Sequence, residues 1–150
     1  MQRFAHLEDL AARVGSALAS SDWVVMAQPR IDAFADATED RQWIHVDPAR
    51  AAAGPFGAPI AHGFLTLSLM PALLASAFAI DDVRMGVNYG LNRVRFPAPV
   101  PVGSRLRAHF KLLAFEALPG GAQLTLEASV EREGSAKPVC VAELVTRQHI

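Results

Sequence analysis

Asp40–Gly63 reads DRQWIHVDPARAAAGPFGAPIAHG, and a nearly uncharged run, Ile60–Ile80, begins before it ends. The stretch holds an acid and an imidazole five residues apart, Asp40 and His45. Gly54, Pro55, Gly57 and Pro59 follow, and these residues fit turns better than a regular element. His62-Gly63 then heads a long apolar helix, FLTLSLMPALLASAFA. That helix has no clear polar stripe, so it is expected to be enclosed on most sides. Pro71 is expected to kink it or divide it in two. Polar chemistry set against the start of a buried helix is a common way to build an active site, and the rest of the chain reads as its framework.

A membrane span is the competing reading of Ile60–Ile80. As a helix it would reach roughly 31 Å, long enough to cross a bilayer. Pro71 interrupts it, however, and Ala, Ser, Thr and Gly dilute it. Asp81-Asp82 follows, and no basic cluster orients it. A helix inside a soluble domain is expected, with no membrane role.

Upstream, His6–Val14 looks helical, with Gly15 as its stop. Asp22–Met26 is a short strand candidate. Pro29 suits the first turn of a second helix, and Ile31, Phe34 and Ala35 give that helix a buried face. It is expected to end near Thr38 and deliver Asp40 and His45 into a loop. Asp47 caps, and Pro48 opens, a short helix through Ala53.

Downstream the period changes to two. Leu106, Ala108, Phe110 and Leu112 alternate with Arg105, Arg107, His109 and Lys111. Leu124, Leu126, Ala128 and Val130 alternate with Thr125, Glu127, Ser129 and Glu131. Pro119-Gly120-Gly121 separates these strands, and Glu133-Gly134-Ser135 separates the second from Val139–Thr146. The pattern predicts an antiparallel meander with one buried face. Val87–Phe96 is a further strand, ended by PAPVPVG. The layout predicts an α+β domain whose sheet curls around one apolar helix, without a second helical layer.

Composition narrows the function. The 150 residues fit one domain, residues 1–150, or one subunit of an oligomer. At 51% apolar residues the chain can build a substantial core. A net charge of -1 without a dense basic block argues against nucleic acid as a partner. The single cysteine, Cys140, excludes an internal disulfide and a cysteine-rich metal site. A reducing cytoplasm fits, and the first residues have no apolar segment of the kind a secretory signal needs.

Each chemical feature has a structural alternative. Asp40 and His45 can converge from a loop to hold a water and move a proton near neutral pH; they can equally be a helix-ending acid and a hydrogen-bonded loop histidine. Trp43 and Ile44 between them would wall the site from bulk water. Gly63 at the helix head could offer backbone N–H groups to a developing oxyanion, or simply start the helix. His62 could shape the pocket or be a buried structural residue. His45, His62 and a carboxylate could take zinc, but no HExxH pattern supports it and no metal is expected. Ser68 and Ser76 lack a nucleophile elbow. Cys140 reads as core. The basic stripe Arg105–Lys111 reads as a solvated sheet face. No GxGxxG or Walker A pattern calls for a nucleotide cofactor.

The segment FADATEDRQWIHVDPARAAAGPFGAPIAHGFLTLSL resembles the hydratase motif of the MaoC-like dehydratases, the (R)-specific enoyl-CoA hydratases. The matching residues are Asp40, His45, Asp47-Pro48 and Pro59-Ile60-Ala61-His62-Gly63. NYGLNRVRFPAPVPVGSRLRA is similar to a second motif of that family. The likeness is strongest to short, stand-alone actinobacterial and nodulation protein N-like members. It implies a hotdog fold, a sheet wrapped around a long central helix, as a homodimer. It implies hydration of a trans-2-enoyl-CoA to an (R)-3-hydroxyacyl-CoA and the reverse, with acyl-CoA as substrate and no cofactor. The catalytic roles fall on Asp40 and His45, the oxyanion contact on Gly63, and substrate-side support on Gln42 and His62. Two departures stand out: Glu39 replaces the family's usual Gly, and Gln42-Trp43 replaces Asn-Pro. Glu39 would raise the pKa of Asp40 or His45 if it pointed inward. Two other functions stay open, a hotdog acyl-CoA thioesterase and a non-catalytic acyl-thioester-binding subunit.

Overall fold

The computed structural model describes all 150 residues, Met1–Ile150. The chain opens with β1 (Gln2–Phe4) and a 3-10 helix (Leu7–Arg13), then β2 (Ala17–Ser20) and β3 (Val24–Val25). Three helices follow: α1 (Gln28–Thr38), α2 (Trp43–Val46) and α3 (Pro48–Ala52). The apolar run forms α4 (Gly63–Ser68) and α5 (Met70–Ala77). Strands β4 (Phe78–Ile80), β5 (Met85–Arg95), β6 (Arg105–Leu118), β7 (Gly121–Arg132) and β8 (Cys140–His149) complete the chain.

The main sheet runs β2-β6-β7-β8-β5, with β3 also on β6, and every pairing is antiparallel. The period-two pattern holds: Leu106, Ala108, Phe110 and Leu112 are buried, as are Leu124, Leu126, Ala128 and Val130. α4 packs on β8, and α5 packs on β6 and β2, so the apolar run lies across the inner face of the sheet. The basic stripe on β6 faces carboxylates on β7 and in the turn just after it. Arg105 pairs with Glu133 at 2.8 Å, and Arg107 and His109 both reach Glu131 at 2.8 and 2.7 Å. It is a charge-balanced outer face. Cys140 is buried in the core, and desolvation pushes its thiol up to about 11, which suits packing and not nucleophilic chemistry.

Several expectations need correction. Pro71 does divide the apolar helix, near the start of α5, but helix ends at Ala77 and Phe78–Ile80 is strand. Its partner is β1, in parallel, with Phe4 and Phe78 edge-on at 6.0 Å. That partner lies more than 70 residues away, beyond any local pattern. Asp22–Met26 contributes only the two strand residues of β3. The absence of a second helical layer also needs qualifying, since α1 buries Ile31 and Ala35.

The apolar run is not enclosed within one chain. Phe64 is 69% exposed, and Ser68, Pro71, Ala72 and Ala75 are exposed beside it. The sheet covers one side of α4–α5 and leaves the other open. Beside that open side, β5 is an edge strand paired only with β8. Met85, Val87, Tyr89 and Leu91 are exposed along it. No helix is long and apolar enough to cross a membrane.

Candidate active site

The helix of Gln28–Thr38 ends where Glu39 turns left-handed, with φ 63°. Glu39 is the only non-glycine residue of the chain with positive φ. The turn redirects the backbone so that Asp40 leaves the helix at the site. Glu39 itself is exposed, and it is not among the charges that act on His45.

His45 is on a helix, not in the expected loop. α2 is a single turn, started by Gln42, whose carbonyl accepts the His45 N–H at 3.0 Å. Trp43, the departure from proline, packs so closely on Gly54 that a Cβ there would meet its ring at 2.9 Å. Arg50 of α3 stacks on the same indole at 4.5 Å. Asp47 caps α3 as expected, accepting from the Arg50 N–H at 3.0 Å. The stretch is therefore braced by local packing around Trp43 rather than by a rigid Pro.

The two resembling motifs abut. Ala61 N–H donates to Val100 at 2.8 Å, and Val102 N–H donates to Pro59 at 2.8 Å. This short antiparallel pairing holds Pro59–Ala61 against the PAPVPVG segment and presents the Ile60 carbonyl to His45. His45 Nδ1 lies 2.6 Å from that carbonyl oxygen. A carbonyl only accepts, so Nδ1 carries the proton and Nε2 keeps its lone pair. Gln28 Nε2 donates to the His45 carbonyl at 2.8 Å and also to Asp32. His45 is 6% exposed. Burial lowers its pKa first; the Ile60 bond opposes this, His62 adds to it, and Asp40 opposes it. The net direction is down, toward the free base.

Asp40, His45 and His62 each offer a ligand atom, and these atoms lie within 4.8 Å of one another. The convergence expected of Asp40 and His45 is thus present. Asp40 is exposed at the mouth, and the imidazoles are buried behind it. His62 stacks on His45, with ring centroids 3.7 Å apart and planes 24° apart. Its Nε2 lies 2.9 Å from the Asp40 backbone oxygen. The donor set has metal-like chemistry. Two of its ring nitrogens, however, are already bonded to backbone carbonyls, and stacked rings do not aim their lone pairs at a common centre.

Gly63 is the first residue of α4. Its N–H makes no hydrogen bond within the chain, as geometry dictates for the first turn of a helix. A Cβ on Gly63 would meet the Phe96 ring at 2.9 Å, so glycine is required there by packing as well. A cavity of about 330 Å³ opens at this helix head, lined by Phe56, Ile60, Gly63, Thr66 and Phe96 among others. A groove of about 360 Å³ runs further along α4–α5, between Leu67, Met70 and Leu74 and strands β5 and β8. Gln42 is exposed, and its side-chain amide bonds to nothing in the chain. Sequence reasoning did not find the Ile60 carbonyl, Gln28 or Phe96, because each acts through a contact that spacing does not encode.

Comparison with known proteins is consistent with this geometry. Residues 9–131 match the family model for the MaoC like domain. The chain is 55% identical over 148 residues to 3-hydroxyacyl-thioester dehydratase Z of Mycobacterium tuberculosis, covering 98% of each. It is 47% identical to nodulation protein N of Rhizobium leguminosarum bv. viciae, covering 93% of this chain and 89% of that one. Among solved structures it superposes on the (R)-hydratase of Aeromonas caviae involved in PHA biosynthesis. The TM-score is 0.71 and the identity 27%, covering 89% of this chain and 94% of the other.

Proposed function

The chain belongs to the MaoC-like dehydratase family, has its hotdog fold and is an enzyme of the dehydratase/hydratase class acting on thioesters; from that premise we propose that it hydrates trans-2-enoyl-CoA to (R)-3-hydroxyacyl-CoA and catalyses the reverse dehydration. The observation that carries this reading is the 2.6 Å contact of His45 Nδ1 with the Ile60 carbonyl. It leaves Nε2 as a free base beside the Asp40 carboxylate, at the head of α4.

In the proposed reaction Asp40 and His45 hold one water. His45 Nε2 takes a proton from it as the oxygen adds to C3 of the enoyl thioester. Electron density moves through the conjugated system to the thioester oxygen, which meets the unpaired N–H of Gly63. The proton on His45 then passes to C2, so one water supplies both the hydroxyl and the new C–H. Gln42 offers a free amide at the mouth, and His62 forms the wall behind His45. Acid–base addition of water needs no cofactor.

We take the 150 residues as one hotdog domain and the working unit as a homodimer. The exposed apolar edge of β5 and the open side of α4–α5 support that assembly, because a long, exposed, unpaired apolar edge is rare in a monomer. The cytoplasm is the proposed compartment, where CoA thioesters are made and used. A panel of enoyl-CoA substrates of increasing chain length tests the reaction, with loss of enoyl absorbance and chiral analysis of the product. Formation of the (R)-alcohol supports the reading. Release of free thiol without loss of the enoyl chromophore would replace it with thioester hydrolysis.

A further inference from the structure

Behind the proposed base lies a second imidazole with half of its hydrogen-bonding capacity unused. His62 is 3% exposed. Its Nε2 is 2.9 Å from the Asp40 backbone carbonyl, which can only accept, so Nε2 carries the proton. Its Nδ1 is buried and has no partner. The ring packs between His45, at 3.7 Å between centroids, and Phe34, at 4.9 Å. Little of it is left for a substrate to touch.

We infer that His62 is a positioning residue for both catalytic groups: its Nε2–H ties down the backbone of Asp40, and its ring sets the plane of the His45 imidazole. The Ile60 carbonyl fixes the His45 ring at its edge, and His62 fixes it at its face. Together they remove the rotation that would carry Nε2 away from the water. This rests on the reading of Asp40 and His45 as the catalytic pair, and it assigns the role of the residue behind them.

The electrostatics agree with the geometry. Two titratable groups act on the His45 ring by charge: Asp40, from the segment after α1, and His62, from the head of α4. α1 itself contributes Gln28, bonded to the His45 carbonyl and to Asp32. The Ile60 segment contributes its carbonyl alone. Of the two charges, His62 is the one that disfavours protonation of His45.

The test uses full-length His62→Phe and His62→Gln. His62→Phe keeps an aromatic face on His45 and deletes the bond to Asp40. It is expected to lower kcat by about 10²-fold, the scale of a small misplacement of reacting groups, with KM little changed. Its acid limb should move to higher pH, because the neighbour that opposes protonation of His45 is gone. His62→Gln keeps a donor within reach of Asp40 and should recover part of the kcat lost in His62→Phe. A rise in KM at constant kcat would make His62 a substrate contact and overturn the inference, as would wild-type kcat in both variants. One measurement needs neither turnover nor a folded variant. In the wild-type protein, NMR should show His62 as the Nε2–H tautomer with a slowly exchanging ring proton. The Nδ1–H tautomer would overturn the inference. Wild-type protein inactive on enoyl thioesters but with the expected tautomer would instead count against the hydratase reading.

Discussion

His45 Nδ1 and the Ile60 carbonyl oxygen lie 2.6 Å apart, 15 residues apart in the chain. That bond decides which nitrogen of His45 is a base. It depends on the pairing of Pro59–Ala61 with Val100–Val102, which places the Ile60 carbonyl. The tautomer of His45 is thus set by a pairing of two loops, and the proposed role of His45 yields predictions that turnover, titration and stability measurements can check.

Removing the acid or the base should abolish most turnover without unfolding the protein. Asp40→Asn and His45→Gln should each lower kcat for crotonyl-CoA hydration by about 10²- to 10⁴-fold. Circular dichroism should report an unchanged fold. Wild-type-like turnover in either variant would remove that residue from the mechanism.

The pH profile carries a sign. Burial lowers the His45 pKa from its usual 6.5. The acid limb of kcat/KM should therefore fall below pH 6.5, where the free base persists longer than in an exposed histidine. Stability follows the same sign. The unfolded chain takes up a proton at His45 before the native chain does, so this contribution is intact above pH 6.5 and is lost as pH falls through the lower folded value. Thermal melts between pH 5 and 7.5 should show it, and the slope should flatten in His45→Gln.

Glu39 occupies a left-handed position at the end of α1. A residue with a Cβ is strained there by about 1 kcal/mol, so Glu39→Gly should raise Tm by roughly 2–4 °C. Because Glu39 points to solvent, kcat should change little. A lower Tm would show that the side chain contributes more than its backbone strain costs.

Gly63 has no room for a methyl group under Phe96. Gly63→Ala should destabilise the protein by about 1–3 kcal/mol through overpacking and should lower kcat as the helix head shifts. Adding Phe96→Leu should restore much of the stability. If Gly63→Ala loses stability but keeps wild-type kcat, the N–H of Gly63 is not tied to a fixed oxyanion position.

The open edge of β5 predicts the assembly. Light scattering should give about twice the 16.1 kDa chain mass. Val87→Glu, which sets a charge on that exposed edge, should shift the protein toward monomer. A wild-type monomer would sink the dimer proposal.

Much of this architecture is readable one segment at a time. Alternation on β6 and β7 specified which residues face inward, because a strand has period two wherever it sits. Pro29 and Asp47-Pro48 marked helix starts, and Pro71 a break in the apolar helix, through properties of single residues. The order Asp40, His45, His62-Gly63 pointed to the chemistry through its resemblance to a known motif. Glu39 shows where local reading stopped: its difference from glycine was visible, but its left-handed φ and outward side chain were not.

Tertiary structure decided the remainder, because it depends on pairings that no local pattern encodes. Phe78–Ile80 became strand because β1 was there to pair with it. The absence of a polar stripe on α4–α5 promised enclosure, yet the sheet covers one side and leaves Phe64 exposed. Asp40 and His45 were expected from the sequence to converge, and His62 was named apart from them as a residue that could shape the pocket. Their stacking, the bond from His62 to the Asp40 backbone and the Ile60 carbonyl that sets the His45 tautomer arose only when residues 28 to 102 closed around them. The sequence by itself determined which chemical groups were present and in what order. Long-range packing determined their distances, protonation and exposure, because those depend on neighbours distant in the chain.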